Sequence, residues 1–366
     1  MPSVVTVLGE VPPEQVGFVS MHEHVFVDGS VLHRHFKTES PELAAKLTSR
    51  EEEPVRLENL GASRRNPYAV LDDLMLDDEA VMTDEVAEFA AAGGRAILEV
   101  STPGIRVMTP ALRRLSEATG VHLVASTGLY VEPSWPDEMR GASLDDYAAH
   151  MRRELLEGID GTDIRAGHIK VGIKELTSQQ ELVLRAAARV SAETGASVTI
   201  HPGFKLGGNQ RTVLEMMVRE GMDPARLIMA HASAFFTASA GDLRARILFP
   251  EATWRLTLDS SLELLDRGVT LSVDCFGHQW EFEAIRVHNE EDYERLAGLV
   301  ELLRRNYEQQ LVLGCDVFRK SLTRRFGGDG YRRLPEVVVP LLSELGVSDY
   351  AVRCMTIDNP SRLLAW

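Results

Sequence analysis

The sequence predicts an α/β protein, a (β/α)8 TIM barrel with a charged helical insertion after its first strand. Three observations predict it. Eight short β-branched runs punctuate the 366 residues, helical periodicity fills the stretches between them, and glycines stop those helices just before the next run. The runs are residues 17–26, 95–100, 121–127, 168–171, 197–201, 227–231, 269–273 and 310–314. Residues 180–194 and 292–306 carry the clearest helical patterns. "Ala-Thr-Gly-Val-His-Leu" and "Glu-Thr-Gly-Ala-Ser-Val" each put a glycine where a helix must end. Helix, glycine and buried strand in that order is the grammar of a parallel sheet. Eight such units suit a closed barrel. A doubly wound open sheet is the structural alternative.

The chain reads as one domain, residues 1–366, and barrels with insertions reach that length. Residues 28–75 break the rhythm with "Ser-Arg-Glu-Glu-Glu-Pro" and "Arg-Arg-Asn-Pro". They read as an insertion, either a helical lid over the active face or a solvated charged loop. Residues 234–260 and 276–290 are shorter excursions, and residues 349–366 read as a closing helix.

Composition narrows the function classes. Hydrophobic residues make up 44%, enough for a large core, and no run of about 20 apolar residues would span a bilayer. A net charge of −16 repels phosphate backbones, so nucleic acid is not an expected partner. Cys275, Cys315 and Cys354 form no paired framework, which points to a reducing compartment. The amino terminus has no basic region followed by an apolar stretch, so no secretory signal is read there. A cytoplasmic enzyme with a small-molecule substrate is the expectation.

The strand ends carry the chemistry. In "Val-Ser-Met-His-Glu-His-Val-Phe", alternation puts His22 and His24 on one face, a ready clip for a metal, and turns Glu23 the other way. His33 and His35 repeat the His-x-His spacing, but inside the charged insertion with no strand before them. His122, His150, His278 and His288 lack partners by spacing and read as core, surface or loop residues. "Ser-Val-Thr-Ile-His", "Leu-Ile-Met-Ala-His" and "Leu-Val-Leu-Gly-Cys-Asp" close apolar runs with His201, His231 and Asp316. One such ending is ordinarily a satisfied core polar group. Three of them plus the His pair converge, because a barrel gathers all carboxyl-terminal strand ends on one catalytic rim.

Lys170 sits within the apolar fourth run, "His-Ile-Lys-Val". A buried ammonium needs a partner or must be neutral. A neutral lysine can take up carbon dioxide as a carbamate that bridges two cations; the plain alternative is an ion pair. His168 shares its face but lies deeper, where a core role is expected. Lys174 lies nearer the loop and is the weaker lysine candidate.

Taken in order, these motifs resemble the phosphotriesterase family of the amidohydrolase superfamily. The resemblance spans nearly the whole chain, from "Val-Leu-Gly-Glu-Val-Pro-Pro-Glu-Gln-Val-Gly" through "Asp-Ile-Arg-Ala-Gly-His-Ile-Lys-Val" to "Asp-Asn-Pro-Ser-Arg-Leu-Leu". It implies that His22, His24 and Asp316 bind the more buried metal and that His201 and His231 bind the more exposed one. Lys170, carboxylated on its ε-nitrogen, would bridge them together with a hydroxide. The metals would be zinc, with cobalt or manganese as substitutes. The hydroxide would attack a carbonyl or phosphoryl centre, and Asp316 would carry the proton away. A homodimer is implied by the resemblance alone.

The departures steer the substrate. Ala232, Ser233 and Ala234 follow His231 where organophosphate-degrading relatives place acids. Asp274, read as a carboxylate supporting the ligands, is followed by Cys275 where those relatives have a histidine. "His-Pro-Gly-Phe" resembles the phosphotriesterase-related branch. A carboxylic lactone, ester or amide is therefore expected ahead of an organophosphate triester. A metal-binding barrel without catalysis is the reading from another class, and one metal beside an unmodified Lys170 is a third. Tyr130 after the third strand, and Arg319 and Lys320 after Asp316, are the expected substrate contacts, against core packing and ordinary surface charge as the plainer roles.

Overall fold

The computed structural model describes residues 2–39, 41–44, 50–203, 209–236, 248, 256–279, 281–282, 287–288 and 291–366. Eight strands form one sheet: β1 (Val19–Glu23), β2 (Ala96–Glu99), β3 (His122–Leu129), β4 (His168–Ile173), β5 (Val198–Pro202), β6 (Leu227–Met229), β7 (Thr270–Val273) and β8 (Leu311–Leu313). They lie side by side in chain order, and each neighbouring pair is parallel. Each falls on one of the eight expected runs. Across the remaining seam, just past β8, the Asp316 N–H donates to the His22 carbonyl at 2.8 Å. The sheet thus bends round into the expected (β/α)8 barrel.

The seam explains Glu23. Its carboxylate is fully buried and accepts from the Cys315 N–H at 2.7 Å and the Val317 N–H at 2.9 Å. Burial raises its pKa to about 8, although Ser20 and those two N–H groups pull it down. Gly314 lets the backbones approach: a Cβ there would lie 2.7 Å from the His22 Cβ and 2.9 Å from the His22 nitrogen.

Besides α1 (Ser30–Glu39) and α2 (Leu60–Arg65) of the insertion, the helices α3 (Glu79–Ala91), α4 (Thr109–Thr119), α5 (Leu144–Leu156), α6 (Ser178–Thr194), α7 (Gln210–Arg219), α8 (Asp259–Asp266) and α9 (Asp292–Arg304) pack outside the sheet. Local chemistry sets their ends. Thr177 caps α6 by accepting from the Gln180 N–H, and Gly195 closes it at φ 83°. Gly120 closes α4 at φ 70° in the same way. Alternation along β4 sends Ile169, Val171 and Ile173 into the core that holds Val183 and Ala187 of α6. Each aliphatic side chain buried there contributes about 1.5–3 kcal/mol. The same alternation turns His168, Lys170 and Gly172 toward the barrel axis.

The insertion is fastened at its neck, where Val27–Asp28 pairs antiparallel with Met75–Leu76. Its described part includes α1 and α2 and a small core of Val55, Ala62, Ala69 and Val70. Among its contacts with the barrel rim, His35 reaches Lys174 after β4, and Asp72 reaches Lys320 after β8. Residues 40 and 45–49 of the insertion, the Gly-rich stretch 204–208 and most of the two shorter excursions lie outside the described residues. The expected closing helix is broken into Asp349–Arg353, a wider turn at Cys354–Asp358 and Asn359–Leu364. No helix among the described residues is long and apolar enough to cross a membrane.

Candidate metal centre

The carboxyl ends of β1, β4, β5, β6, β7 and β8 bring His22, His24, Lys170, His201, His231, Asp274 and Asp316 together. Lys170 Nζ lies 2.8 Å from His22 Nε2. Asp316 Oδ1 is 3.8 Å from His22 Nε2 and 3.4 Å from His24 Nε2. His201 Nδ1 and His231 Nε2 face each other at 2.7 Å, and the His22 and His231 ring centres are 4.9 Å apart. His22, His231 and Asp316 form one trio whose donor atoms lie close enough to share an ion.

Supporting groups fix the rings. Asp274 accepts from His231 Nδ1 at 2.7 Å, and its other oxygen lies 3.1 Å from His22 Nδ1. With Nδ1 carrying the proton, His231 Nε2 presents a lone pair to the cluster. His24 Nδ1 meets Ser101 Oγ at 2.7 Å, and Ser101 in turn donates to Glu99. The His278 Nε2–H donates to the Asp316 carbonyl at 2.9 Å. Cys275 Sγ lies 3.5 Å from Asp316 Oδ2.

Burial and charge set the protonation. Burial, aided by Lys170, lowers His22 to about 4. Burial also lowers Lys170 to about 8, against the pull of Asp316 and Asp274. For Asp274, burial acts upward, but His231 and His22 hold it well below the usual carboxylate range. Asp316 is held low in the same way, by His22 and His24 against its burial. Burial pushes His231 down, yet Asp274 more than offsets it and the ring ends raised. His201 is driven well down by burial and by His231.

The donor set fits cations. Imidazole nitrogens face one another at contact distance, an arrangement that needs a shared proton or ion between them. Lys170 is 1% exposed, and its hydrogen-bond partner is a histidine rather than a carboxylate. That is a poor place for a plain ammonium and a suitable one for a carboxylated lysine between two ions.

Other expected residues fall out as follows. Tyr130 OH sits 3.3 Å from His201 Nε2, at the edge of the cluster. Arg319 and Lys320, expected as substrate contacts, face the insertion. Arg319 is 2% exposed, with Asp73 at 3.7 Å and Ser63 O at 3.5 Å. Lys320 binds Asp72 at 2.5 Å and has Asp77 at 3.6 Å. His168 is held in the core by Ser197 at 2.8 Å and Thr199 at 2.9 Å. His33 lies 3.5 Å from Glu51, away from the cluster.

Sequence reasoning missed Glu99, Ser101 and His278. Glu99 had a readable signal: it closes the apolar run "Ala-Ile-Leu-Glu" at a strand end, as His201 and Asp316 close theirs. His278 had none, since only the turn after β7 brings it back onto Asp316.

A model of the phosphotriesterase family matches residues 2–364. An N-acetyltaurine hydrolase of Tetraodon nigroviridis is 30% identical over 369 residues, covering 99% of this chain and 98% of its own. A phosphotriesterase-related protein of Nematostella vectensis is 29% identical over 367 residues, with the same coverage of 99% and 98%. A resiniferatoxin-binding protein from Rhodobacter sphaeroides superposes with a TM-score of 0.82 at 29% identity, over 99% of this chain and 94% of its own.

Proposed function

The chain belongs to the phosphotriesterase family, and from that membership we propose that it is a binuclear metal-dependent hydrolase of a carboxylic bond. An N-acyl amide is the first choice of substrate, with lactone and ester next. The observation that carries this reading is the meeting of four imidazoles, Asp316 and a buried lysine without a carboxylate partner among the described residues at one rim. The 30% identical N-acetyltaurine hydrolase supports the amide. Ala232, Ser233 and Ala234 after His231 speak against a triester.

In this reading His22, His24 and Asp316 would hold the more buried cation, and His201 and His231 would hold the more exposed one. Lys170, with its pKa brought to about 8, would be neutral often enough to add carbon dioxide, release a proton and serve as a further carboxylate ligand. Zinc suits the imidazole-rich set, with cobalt or manganese as substitutes. Such ions, when bound, make water a better nucleophile at neutral pH and polarise the scissile carbonyl.

The chain's own groups do the rest. Asp316 takes the proton of the attacking water and hands it to the leaving nitrogen or oxygen. Asp274 keeps the proton of His231 on Nδ1, which holds Nε2 toward the cluster. The Tyr130 hydroxyl, kept protonated by burial, donates to the substrate's carbonyl oxygen as it gains charge.

Elemental analysis of the purified protein, joined to a panel of acyl amides, lactones and triesters, tests this. The expected result is about two metals per chain, turnover of a carboxylic substrate, and loss of turnover with metal retained in Asp316→Asn. A single metal per chain would count against the bridged pair. Metal-loaded protein that hydrolyses nothing on the panel would refute the enzyme.

A further inference from the structure

Lys174 has a role still open. Four lysines belong to the described residues: Lys37 pairs with Glu51, Lys320 pairs with Asp72, and Lys170 belongs to the centre. Lys174 has no carboxylate of a described residue within ion-pair distance. Its Nζ instead lies 3.0 Å from His35 Nε2, where the ammonium donates to the ring's lone pair. A neutral imidazole positions an ammonium without cancelling its charge. Two of the three N–H groups of Lys174 remain for another acceptor.

The strand register locates the backbone of this lysine. Gly172 of β4 lies opposite His201 of β5, and Ile173 lies opposite Pro202. Lys174 comes next, beside Gly203, where a Cβ would stand 2.8 Å from the Lys174 Cα. Lys174 therefore lies two residues, about 7 Å, beyond His201 toward the open end of the barrel. Lys170 and Gly172 share the inward side of the strand, and Lys174 follows its last residue, Ile173, on the rim. His35 approaches from α1, so the insertion fixes the head of this lysine in place.

A chain with a net charge of −16 repels anions at long range. An anionic substrate held at this mouth needs a local cation, and a cation kept clear of carboxylates on the catalytic rim meets that need. We infer that Lys174, positioned by His35, binds an anionic head group, carboxylate or sulfonate, carried by the substrate a few bonds beyond the scissile carbonyl. This rests on the hydrolase reading above and narrows its substrate to N-acyl amino acids or N-acyl aminosulfonates.

Three substrates of matched size test it with the metal-loaded, full-length enzyme: N-acetyltaurine, N-acetyl-β-alanine and neutral N-acetylethanolamine. The wild type should prefer an anionic member, and the ratio between the two anions identifies the head group. Lys174→Gln should lower kcat/KM for the anions about 10- to 100-fold more than for the neutral amide, mainly through KM, as fits the loss of one charge-assisted contact. Lys174→Arg should keep most of the preference, and His35→Ala should lose part of it. Added salt should raise KM for the anions in the wild type and much less in Lys174→Gln. Equal losses on all three substrates, or no anion preference in a wild type that cleaves the neutral amide or a lactone, would overturn the inference and leave the hydrolase standing. A wild type that cleaves no carboxylic substrate would remove the hydrolase reading and this inference with it.

Discussion

Asp274→Asn is the sharpest test of how the centre is held. One buried carboxylate serves two rings: His231 Nδ1 at 2.7 Å and His22 Nδ1 at 3.1 Å. It also accepts from the His231 N–H at 3.2 Å and from Ser272 Oγ at 2.8 Å. Asparagine keeps the shape and one oxygen, so it can serve one ring but must turn an N–H₂ toward the other. Losing one such supporting contact weakens metal binding about 10- to 100-fold. At about 1.4 kcal/mol per decade, that is roughly 1.4–2.8 kcal/mol. Competition with a zinc chelator at neutral pH would read the loss directly, and the melting temperature of the metal-free protein would control for folding. In metal-free protein, imidazole proton shifts should also show His231 titrating lower, because Asp274 is what raises it. Metal affinity within about twofold of wild type, with the metal-free fold intact, would refute the claim that Asp274 orients the ligands.

Other perturbations have equally definite outcomes. Gly314→Ala should destabilise the protein by about 1–3 kcal/mol, because its methyl group meets the His22 backbone across the barrel seam; an unchanged calorimetric melting temperature would contradict this. Lys170→Ala should purify folded but with less than the wild-type metal content by mass spectrometry, and full retention would remove Lys170 from the centre. Burial acts to raise Asp160, but Arg106 and Thr109 hold its carboxyl below the usual value. The sign follows: a depressed folded pKa stabilises above the unfolded value and is lost as pH falls through the folded one. Urea midpoints should therefore fall less steeply below about pH 4 in Asp160→Asn than in the wild type. Identical acid limbs would refute it.

Much of the fold was legible because a parallel barrel repeats one local rule. Each strand is a short β-branched run buried on both faces, and helices such as α4 and α6 end on glycine. Those signals are local, so even the position of Gly195 could be read. The candidate ligands were legible for a related reason: a polar residue closing an apolar run stands out, and barrel geometry sends all such ends to one rim. What stayed hidden depends on backbone turns and on loops. His35 looked like an idle repeat of the His22–His24 spacing, and its approach to Lys174 is set by how the insertion folds back. Arg319 and Lys320 looked free because their partners, Asp73 and Asp72, lie more than two hundred residues earlier in the chain.

Three consecutive strand ends share a backbone feature that ties stability to the centre. His231, Cys275 and Asp316, following β6, β7 and β8, adopt left-handed conformations with φ of 54°, 63° and 52°. None is glycine, and each such residue costs about 1–2 kcal/mol relative to an ordinary conformation. Glycine would relieve that strain, but it would remove the imidazole of His231 and the carboxylate of Asp316. The turn itself is what the centre uses. A strand continuing straight would carry these side chains alternately inward and outward, whereas the left-handed turn folds each back over the barrel mouth. For Asp316 the same turn sends its N–H to the His22 carbonyl and its carbonyl to His278. The strained residue is thus held from both sides by groups that also border the cluster. Strain at one strand end alone would be an accident of packing. Repeated at three neighbouring ends, two of them bearing the candidate ligands, it is the local expense of aiming those side chains at one point.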